Sequence, residues 1–225
     1  MRMAWRDRLT LLGDPDFSPV PQENLLSECH ADECAEKILQ AVAQGKWIEH
    51  GLKANPQGGT LNFSACDRHG NMAAMTLTHG STFGAQVTVD GLGITLGHGM
   101  SRFDPHPNHP NSPGPGKRPL HNMTPCIITR DKRPAVAIGG RGGRKIPNAM
   151  FEFLTQYLFE GKSFEGALAA PRVHTEGTLD LEFQKGWPES ETAALANLGY
   201  KVKTGNSATL SGVAREGERW LARMQ

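Results

Sequence analysis

The sequence predicts a layered α+β domain, with helices covering antiparallel sheet, and three observations point to it. Gly (26) and Pro (15) are plentiful among 225 residues while the apolar share is 38%, which suits short strands and tight turns better than a helical bundle. Two runs that return on themselves, around 67–71 and around 131–132, read as β-hairpins. After them come two segments with helical apolar spacing, over 147–159 and 164–170.

Taken in order, Leu12-Gly13-Asp14-Pro15-Asp16 is a turn, and Pro19 and Pro21 extend the chain toward a helix that Ser27 can cap. Cys34 through Val42 continues the apolar spacing of that helix, and the Gly-, Asn-, Gln- and Pro-rich stretch from Gly45 to Gly59 reads as an exposed linker. At Thr60 the pattern changes. Leu61, Phe63 and Ala65 alternate with Asn62, Ser64 and Cys66 as a strand, Asp67 to Asn71 is the turn, and Met72 to Thr78 returns. Gln86–Val89 and Gly93–Leu96 are short strands, and Phe103–Pro119 is a loop rich in Pro, Asn, Gly and His. Cys126–Thr129 and Ala135–Ile138 flank Asp131-Lys132 as a second hairpin, followed by the glycine-rich Gly139–Gly143. The helix from Pro147 to Phe159 presents Phe151, Leu154 and Leu158 on one face, with Pro147 suited to its first turn. A second helix, Phe164–Ala170, stops before Pro171. A strand near Leu179–Phe183, a helix near Glu189–Leu198 and a final hairpin complete the chain.

The net charge of +1 and the lack of a basic block give no case for nucleic acid. No apolar run reaches the roughly 18 residues of a membrane helix. Met1–Leu12 lacks the apolar core of a signal peptide. Cys29, Cys34, Cys66 and Cys126 form no CxxC pair and are expected to be free thiols, and the compartment is left open.

No GxSxG, HExxH or GxxxxGK[ST] motif is present, and Gly139–Gly143 fails the dinucleotide spacing because Lys145 stands where the third glycine belongs. The Gly58-Gly59-Thr60 step is chemically more suggestive, because an exposed linker meets a strand there. An amine freed at Thr60 would have a pKa of about 7.7–8.0 and could take the proton of its own hydroxyl. The plain alternative is a structural Gly-Thr at a strand start. Gly142-Gly143, between strand and helix, can aim consecutive N–H groups at one oxyanion, or can simply form a tight turn. His98, His106, His109 and His121 crowd the Pro-rich loop, but without a carboxylate pattern they read as loop histidines rather than metal ligands.

The segment from Thr60 to Gly84, with Phe63-Ser64, Asp67, Gly70-Asn71 and Phe83-Gly84, resembles the opening of the small subunit of γ-glutamyltranspeptidases. The resemblance continues through Gly91-x-Gly93-Ile94, Met100, Gly116-Lys117-Arg118-Pro119-Leu120, Met123-x-Pro125, Gly142-Gly143 and Ala169-Ala170-Pro171-Arg172. Leu12–Asp16 resembles the end of the family's large subunit. The resemblance implies an N-terminal-nucleophile hydrolase fold, an αββα sandwich of two stacked antiparallel sheets between helix layers. Residues 1–59 would then be the tail of a large subunit with the cleavage linker, and 60–225 a small-subunit-like catalytic domain. By the same resemblance Thr60 matches the nucleophile freed by self-cleavage after Gly59, Thr78 the threonine that bonds the new amine, and Gly142 and Gly143 the oxyanion pair. It implies an acyl-enzyme passed to water or an acceptor amine, with no metal or organic cofactor.

The substrate-side positions are Asn62, Gly80, Gly99, Arg102, His121 and Asn122, and several depart from the family's pattern. Arg102 stands where the family holds the glutamyl ammonium with an acid, Gly99 replaces Glu or Gln, Gly80 replaces an asparagine, and His121 and Asn122 replace two serines. A guanidinium repels an ammonium and suits a carboxylate, so a small carboxylate-bearing amide, as in the related oxamate amidohydrolases, becomes an alternative to a γ-glutamyl substrate. The plain alternative for Arg102 is a salt bridge. Most of the large subunit, including the arginine it donates to the substrate carboxylate, has no counterpart in the sequence. The chain therefore reads as part of a longer precursor whose missing segment is its expected partner, or as a non-catalytic remnant. Related full-length proteins are often periplasmic or secreted.

Overall fold

A computed structural model describes residues 1–48, 50 and 58–225. The elements run α1 (Arg2–Leu11), α2 (Gln22–Leu25), α3 (Glu28–Ala43), β1 (Gly58–Cys66), β2 (Met72–Gly80), β3 (Thr88–Val89), β4 (Ile94–Thr95), then a 3₁₀ turn (Gly99–Arg102). They continue with β5 (Cys126–Arg130), β6 (Arg133–Arg141), α4 (Lys145–Leu158), α5 (Phe164–Ala169), β7 (Val173–His174), β8 (Asp180–Phe183), α6 (Glu189–Asn197), β9 (Lys201–Thr204), β10 (Thr209–Glu216) and β11 (Arg219–Met224). All four cysteines are free.

The turn chemistry builds both hairpins. Asp67 Oδ1 accepts the N–H groups of His69 (2.8 Å) and Asn71 (2.9 Å), which fixes the β1–β2 turn, and Thr60 falls opposite Thr78 in the register. Asp131 and Lys132 both adopt positive φ (50° and 62°), the conformation of a two-residue turn that matches strand twist, and β5 pairs with β6 across it.

The central sheet has the order β11-β10-β6-β5 and is antiparallel throughout. β6 is buried from Ala135 to Gly140, as a strand covered on both faces must be. On one face Val136, Ile138 and Leu210 pack with Ile146, Ala149, Met150 and Phe153 of α4 and Phe164, Ala167 and Leu168 of α5. On the other lies the β1–β2 hairpin, whose inward residues Asn62 and Ser64 both reach Ser211 of β10. The outward residues Leu61, Phe63, Met75 and Leu77 remain 44–54% exposed, where the expected sandwich would place its second helix layer.

One expectation needs correction. The buried face of α4 is Ile146, Ala149, Met150 and Phe153; of the stripe read from the spacing, Leu154 packs on that core but Phe151 and Leu158 are exposed. Besides the two stacked antiparallel sheets there is a small further sheet in which β8 runs parallel to β9, and α6 between them supplies the crossover that parallel strands need. The stretch read as a linker is exposed at its start, residues 45–47, although Trp47 stands edge-on to Tyr200 at 4.8 Å. Residues 49 and 51–57 of that stretch lie outside the described residues.

The first segment is tied to the rest by polar anchors. Trp5 of α1 is buried and donates its indole N–H to Asn148 of α4 at 2.9 Å. Asp14 accepts from the backbone N–H (2.8 Å), Nε (3.0 Å) and Nη2 (2.6 Å) of Arg118, and these bonds hold its carboxyl well below the usual carboxylate range. The Leu12–Asp16 turn is thus locked to the Gly116–Leu120 segment.

One buried acid makes stability depend on pH. Glu152 of α4 accepts the Val173 N–H at 3.0 Å, but its second oxygen is buried without a partner, and burial pushes the carboxyl up to about 7 against the pull of Val173 and Arg172. A carboxyl whose folded value lies above its unfolded one holds its proton more tightly when folded. Stability is therefore full below the unfolded value of 4.5 and declines as pH rises through about 7. Glu152→Gln keeps an acceptor for Val173 and is expected to stabilise the chain by about 1–3 kcal/mol at pH 8, with little gain at pH 4.5. Urea midpoints at the two pH values check this.

Candidate functional site

The β1–β2 register brings Thr60 and Thr78 face to face, and the Thr60 hydroxyl donates to Thr78 Oγ1 at 2.8 Å. The same oxygen accepts the Gly80 N–H at 3.0 Å, and the Thr78 hydroxyl lies 3.4 Å from the carbonyl oxygen of Gly59, to which it donates. One hydroxyl therefore touches both the Thr60 hydroxyl and the Gly59 carbonyl. Gly59 has φ +67°, and a Cβ there would stand 2.9 Å from the Ser81 carbonyl oxygen, so the residue before Thr60 must be glycine on two counts.

Asn62 sits two residues along on the same face. Its Oδ1 accepts from Thr76 Oγ1 (2.8 Å), and its Nδ2 donates to Ser211 Oγ (2.9 Å) and Ser211 O (3.1 Å). Its side-chain amide thereby fastens the hairpin to β10 over Gly139, where a Cβ would lie 2.2 Å from Asn62 Oδ1. Gly139→Ala is expected to push the hairpin away, costing about 1–3 kcal/mol of stability, as a drop in urea midpoint would report.

Gly142 and Gly143 follow at the end of β6. Gly142 has φ +139° and a Cβ there would lie 2.8 Å from Ala208 Cα, while Gly143 is buried with φ +60°. Their carbonyls accept from Lys145 N (3.2 Å) and Ile146 N (3.3 Å), which opens α4.

Beside Thr78 lies a group of cations. The 3₁₀ turn Gly99–Arg102 buries Arg102, and a Cβ on Gly80 would sit 3.3 Å from Arg102 Nη2. Gly80 itself is at φ +82°, so absence of a side chain leaves room for the guanidinium. Gly99 faces open space. Arg8 of α1 donates to His121 O (2.9 Å) and to Asn122 Oδ1. Burial, and then the nearby Arg102, bring Arg8 down to about 10, and burial lowers Arg102 as well. His121 is pushed down by burial and by both arginines. Among the described residues, neither arginine has a carboxylate partner, and Arg8 Nε, Arg102 Nε and His121 Nδ1 are buried with no hydrogen bond. Two guanidiniums and a neutral imidazole facing one another in this way favour an anion between them.

The structure thus brings Thr60, Thr78, Gly59 and Gly80 together with Arg102, His121 and Asn122, while Asn62 is engaged inside the sheet stack. Sequence reasoning missed Arg8, which comes from a helix 114 residues away from Asn122. The remaining loop histidines have partners of their own: His106 bonds Asp104 (2.7 Å), His109 bonds the Leu9 carbonyl (2.9 Å), and His98 lies 3.3 Å from Ser81 Oγ.

The family profile described as gamma-glutamyltranspeptidase matches residues 1–224. Among curated proteins, the chain is 34% identical over 202 residues to the acylase ACY 1 proenzyme of Pseudomonas sp. (strain V22), covering 90% of this chain and 36% of that protein. It is 28% identical over 221 residues to the glutathione hydrolase proenzyme of Bacillus subtilis (strain 168), covering 91% and 38%. It therefore spans little more than a third of the length of these relatives. Among solved structures, the gamma-glutamyltranspeptidase of Pseudomonas nitroreducens complexed with L-DON is similar at TM-score 0.65 and 26% identity, covering 72% of this chain and 93% of that one. The cephalosporin acylase of Bacillus halodurans shares the fold at TM-score 0.80 and 23% identity, covering 97% and 40%.

Proposed function

The chain belongs to the γ-glutamyltranspeptidase family, and from that premise we propose that it is the nucleophile-bearing part of a self-processing amide hydrolase or acyl transferase, with Thr60 as the attacking residue. The observation that carries this reading is the Thr60–Thr78–Gly59 contact. Before cleavage the Thr60 nitrogen is an amide and cannot act as a base. The Thr60 hydroxyl attacks the Gly59 carbonyl carbon, and its proton passes by way of Thr78 Oγ1, which also polarises that carbonyl, to the departing Thr60 nitrogen. The C–N bond breaks to leave an ester on Thr60 and a free amine. Water then hydrolyses the ester and releases the Gly59 carboxyl group.

The freed amine, with a pKa of about 7.7–8.0, can then take the hydroxyl proton while Thr60 Oγ1 attacks a substrate amide. The N–H groups of Gly142 and Gly143 are the donors for the tetrahedral oxyanion, each of a kind whose loss costs about 2.7–4 kcal/mol of barrier. The leaving amine takes up a proton, and water or an acceptor amine resolves the acyl-ester.

For the substrate, Arg102 and Arg8 support an acyl group that carries a carboxylate, as in small oxamate-type amides, rather than one recognised through an ammonium. At an effective dielectric near 20 and about 4 Å, each like-charge contact would cost a few kcal/mol and each opposite-charge contact would gain as much. The segment that the longer relatives carry and this chain does not is proposed as the partner that completes the site.

A single-turnover mass measurement tests the reading. With a carboxylate-bearing anilide, the acyl mass should appear on the peptide that begins at Thr60. Acylation elsewhere, or none with the processed protein supplied with that completing segment, would overturn it.

A further inference from the structure

Away from Thr60, three side chains of matched chemistry meet where α1 touches α3. His30 and Cys34 are one helical turn apart and so share a face of α3. The first turn of that helix is fixed by Ser27, whose Oγ accepts the His30 N–H at 3.1 Å. Opposite them stands Asp7 of α1, which is buried. Its Oδ1 takes both Nε (2.9 Å) and Nη2 (2.7 Å) of Arg6, so Oδ2 is turned to His30 Nε2 at 3.1 Å. Cys34 Sγ lies 3.6 Å from the same nitrogen, and the three ligand-type atoms all lie within 4.8 Å of one another.

We propose that Asp7, His30 and Cys34 form a binding site for a divalent transition metal of the zinc type, clasping α3 to α1. The spacing is that of coordination. A tetrahedral zinc with ordinary bond lengths separates sulfur from nitrogen by about 3.5 Å and nitrogen from oxygen by about 3.4 Å. Two of the three edges are already near those values, and the third, between sulfur and carboxylate oxygen, is no longer than 4.8 Å. Donor chemistry selects the ion: a thiolate and an imidazole prefer zinc or cobalt, whereas magnesium and calcium want oxygen alone. Charge also balances, since carboxylate and thiolate together neutralise a dication. Arg6 on the far carboxylate oxygen orients Asp7 as an outer-shell partner does in metal sites. On binding, the Cys34 thiol loses its proton to solvent as the sulfur–metal bond forms, and His30 gives the Nε2 lone pair with its proton on Nδ1. Water takes the fourth position.

The clasp meets a structural need. α3 runs for 16 residues without one buried residue, and Ile38, Leu39 and Val42 are exposed, so little apolar burial holds it to the body. A metal joining it to Asp7, on a helix anchored by Trp5, would supply that hold.

The test is a titration of the metal-free full chain with Co²⁺ and then Zn²⁺. One equivalent of Co²⁺ should produce the near-ultraviolet thiolate-to-cobalt band together with visible bands of tetrahedral intensity, and Zn²⁺ should abolish both. Zn²⁺ should also raise Tm. Cys34→Ser should erase the thiolate band, and both Cys34→Ser and His30→Ala should weaken binding at least tenfold. Cys29→Ser, on the same helix but directed to Glu33, should change neither. Absence of a thiolate band, or its survival in Cys34→Ser, overturns the proposal. Circular dichroism of the metal-free variants confirms that a loss of binding is not a loss of fold. None of these readouts depends on Thr60 chemistry.

Discussion

Thr60→Ala is expected to leave the chain in one piece and to remove amide hydrolysis, with a fall in rate of roughly 10⁴-fold or more, as when a nucleophile is deleted from other acyl-transfer sites. Thr60→Ser should still cut, because its hydroxyl can occupy the place that now donates to Thr78 at 2.8 Å. The pair separates chemistry from folding, since neither change removes a buried apolar group. The Thr78 oxygen serves Thr60, Gly80 and the Gly59 carbonyl together, so Thr78→Val should slow the cut even with Thr60 intact. Gel mobility against time, with intact masses, measures all three. Cutting of Thr60→Ala at the wild-type rate would defeat the assignment.

The second large effect is expected at Arg102. Arg102→Gln should lower kcat/KM for carboxylate-bearing amides by about 100-fold, the loss expected for one charge-assisted contact in a partly buried site. Arg102→Asp should go further and favour substrates with an ammonium. The same change should act in the opposite sense on the unliganded protein. Arg102 lowers the affinity of Arg8 for a proton, and no carboxylate lies between them among the described residues, so Arg102→Gln relieves a repulsion and should raise Tm. A small dicarboxylate such as malonate should raise the Tm of the wild-type chain but not that of the variant. Equal rates on ammonium-bearing and carboxylate-bearing amides before and after the substitution would defeat this account of specificity.

Features set by adjacent residues were legible in the sequence. Asp67 to Asn71, Asp131-Lys132 and the Ser27 cap each depend on bonds to near neighbours, and each formed where the residues require it. The opposition of Thr60 and Thr78 follows from the length of one hairpin. What failed was whatever needed a partner distant in sequence. On α4 the spacing of Phe151, Leu154 and Leu158 marks one apolar stripe, but only Leu154 of the three packs on the core. The sheet receives Ile146, Ala149, Met150 and Phe153, and which of two comparable stripes turns inward is decided by strands far away in sequence. Parallel pairing of β8 with β9 has no local signature. Arg8 reads as one more charge in a polar helix until the fold sets it beside Arg102 and His121. The close fit at Gly139 was equally silent, because its reason is the amide of Asn62.

The account turns on whether the Gly59–Thr60 bond opens by itself. Intact mass analysis of the purified chain, followed by sequencing from the amino end, measures this directly. The account predicts two pieces, residues 1–59 and 60–225, the second beginning with Thr60. A single uncut chain of 24.4 kDa after prolonged incubation, with the Thr60 amide intact, would contradict it.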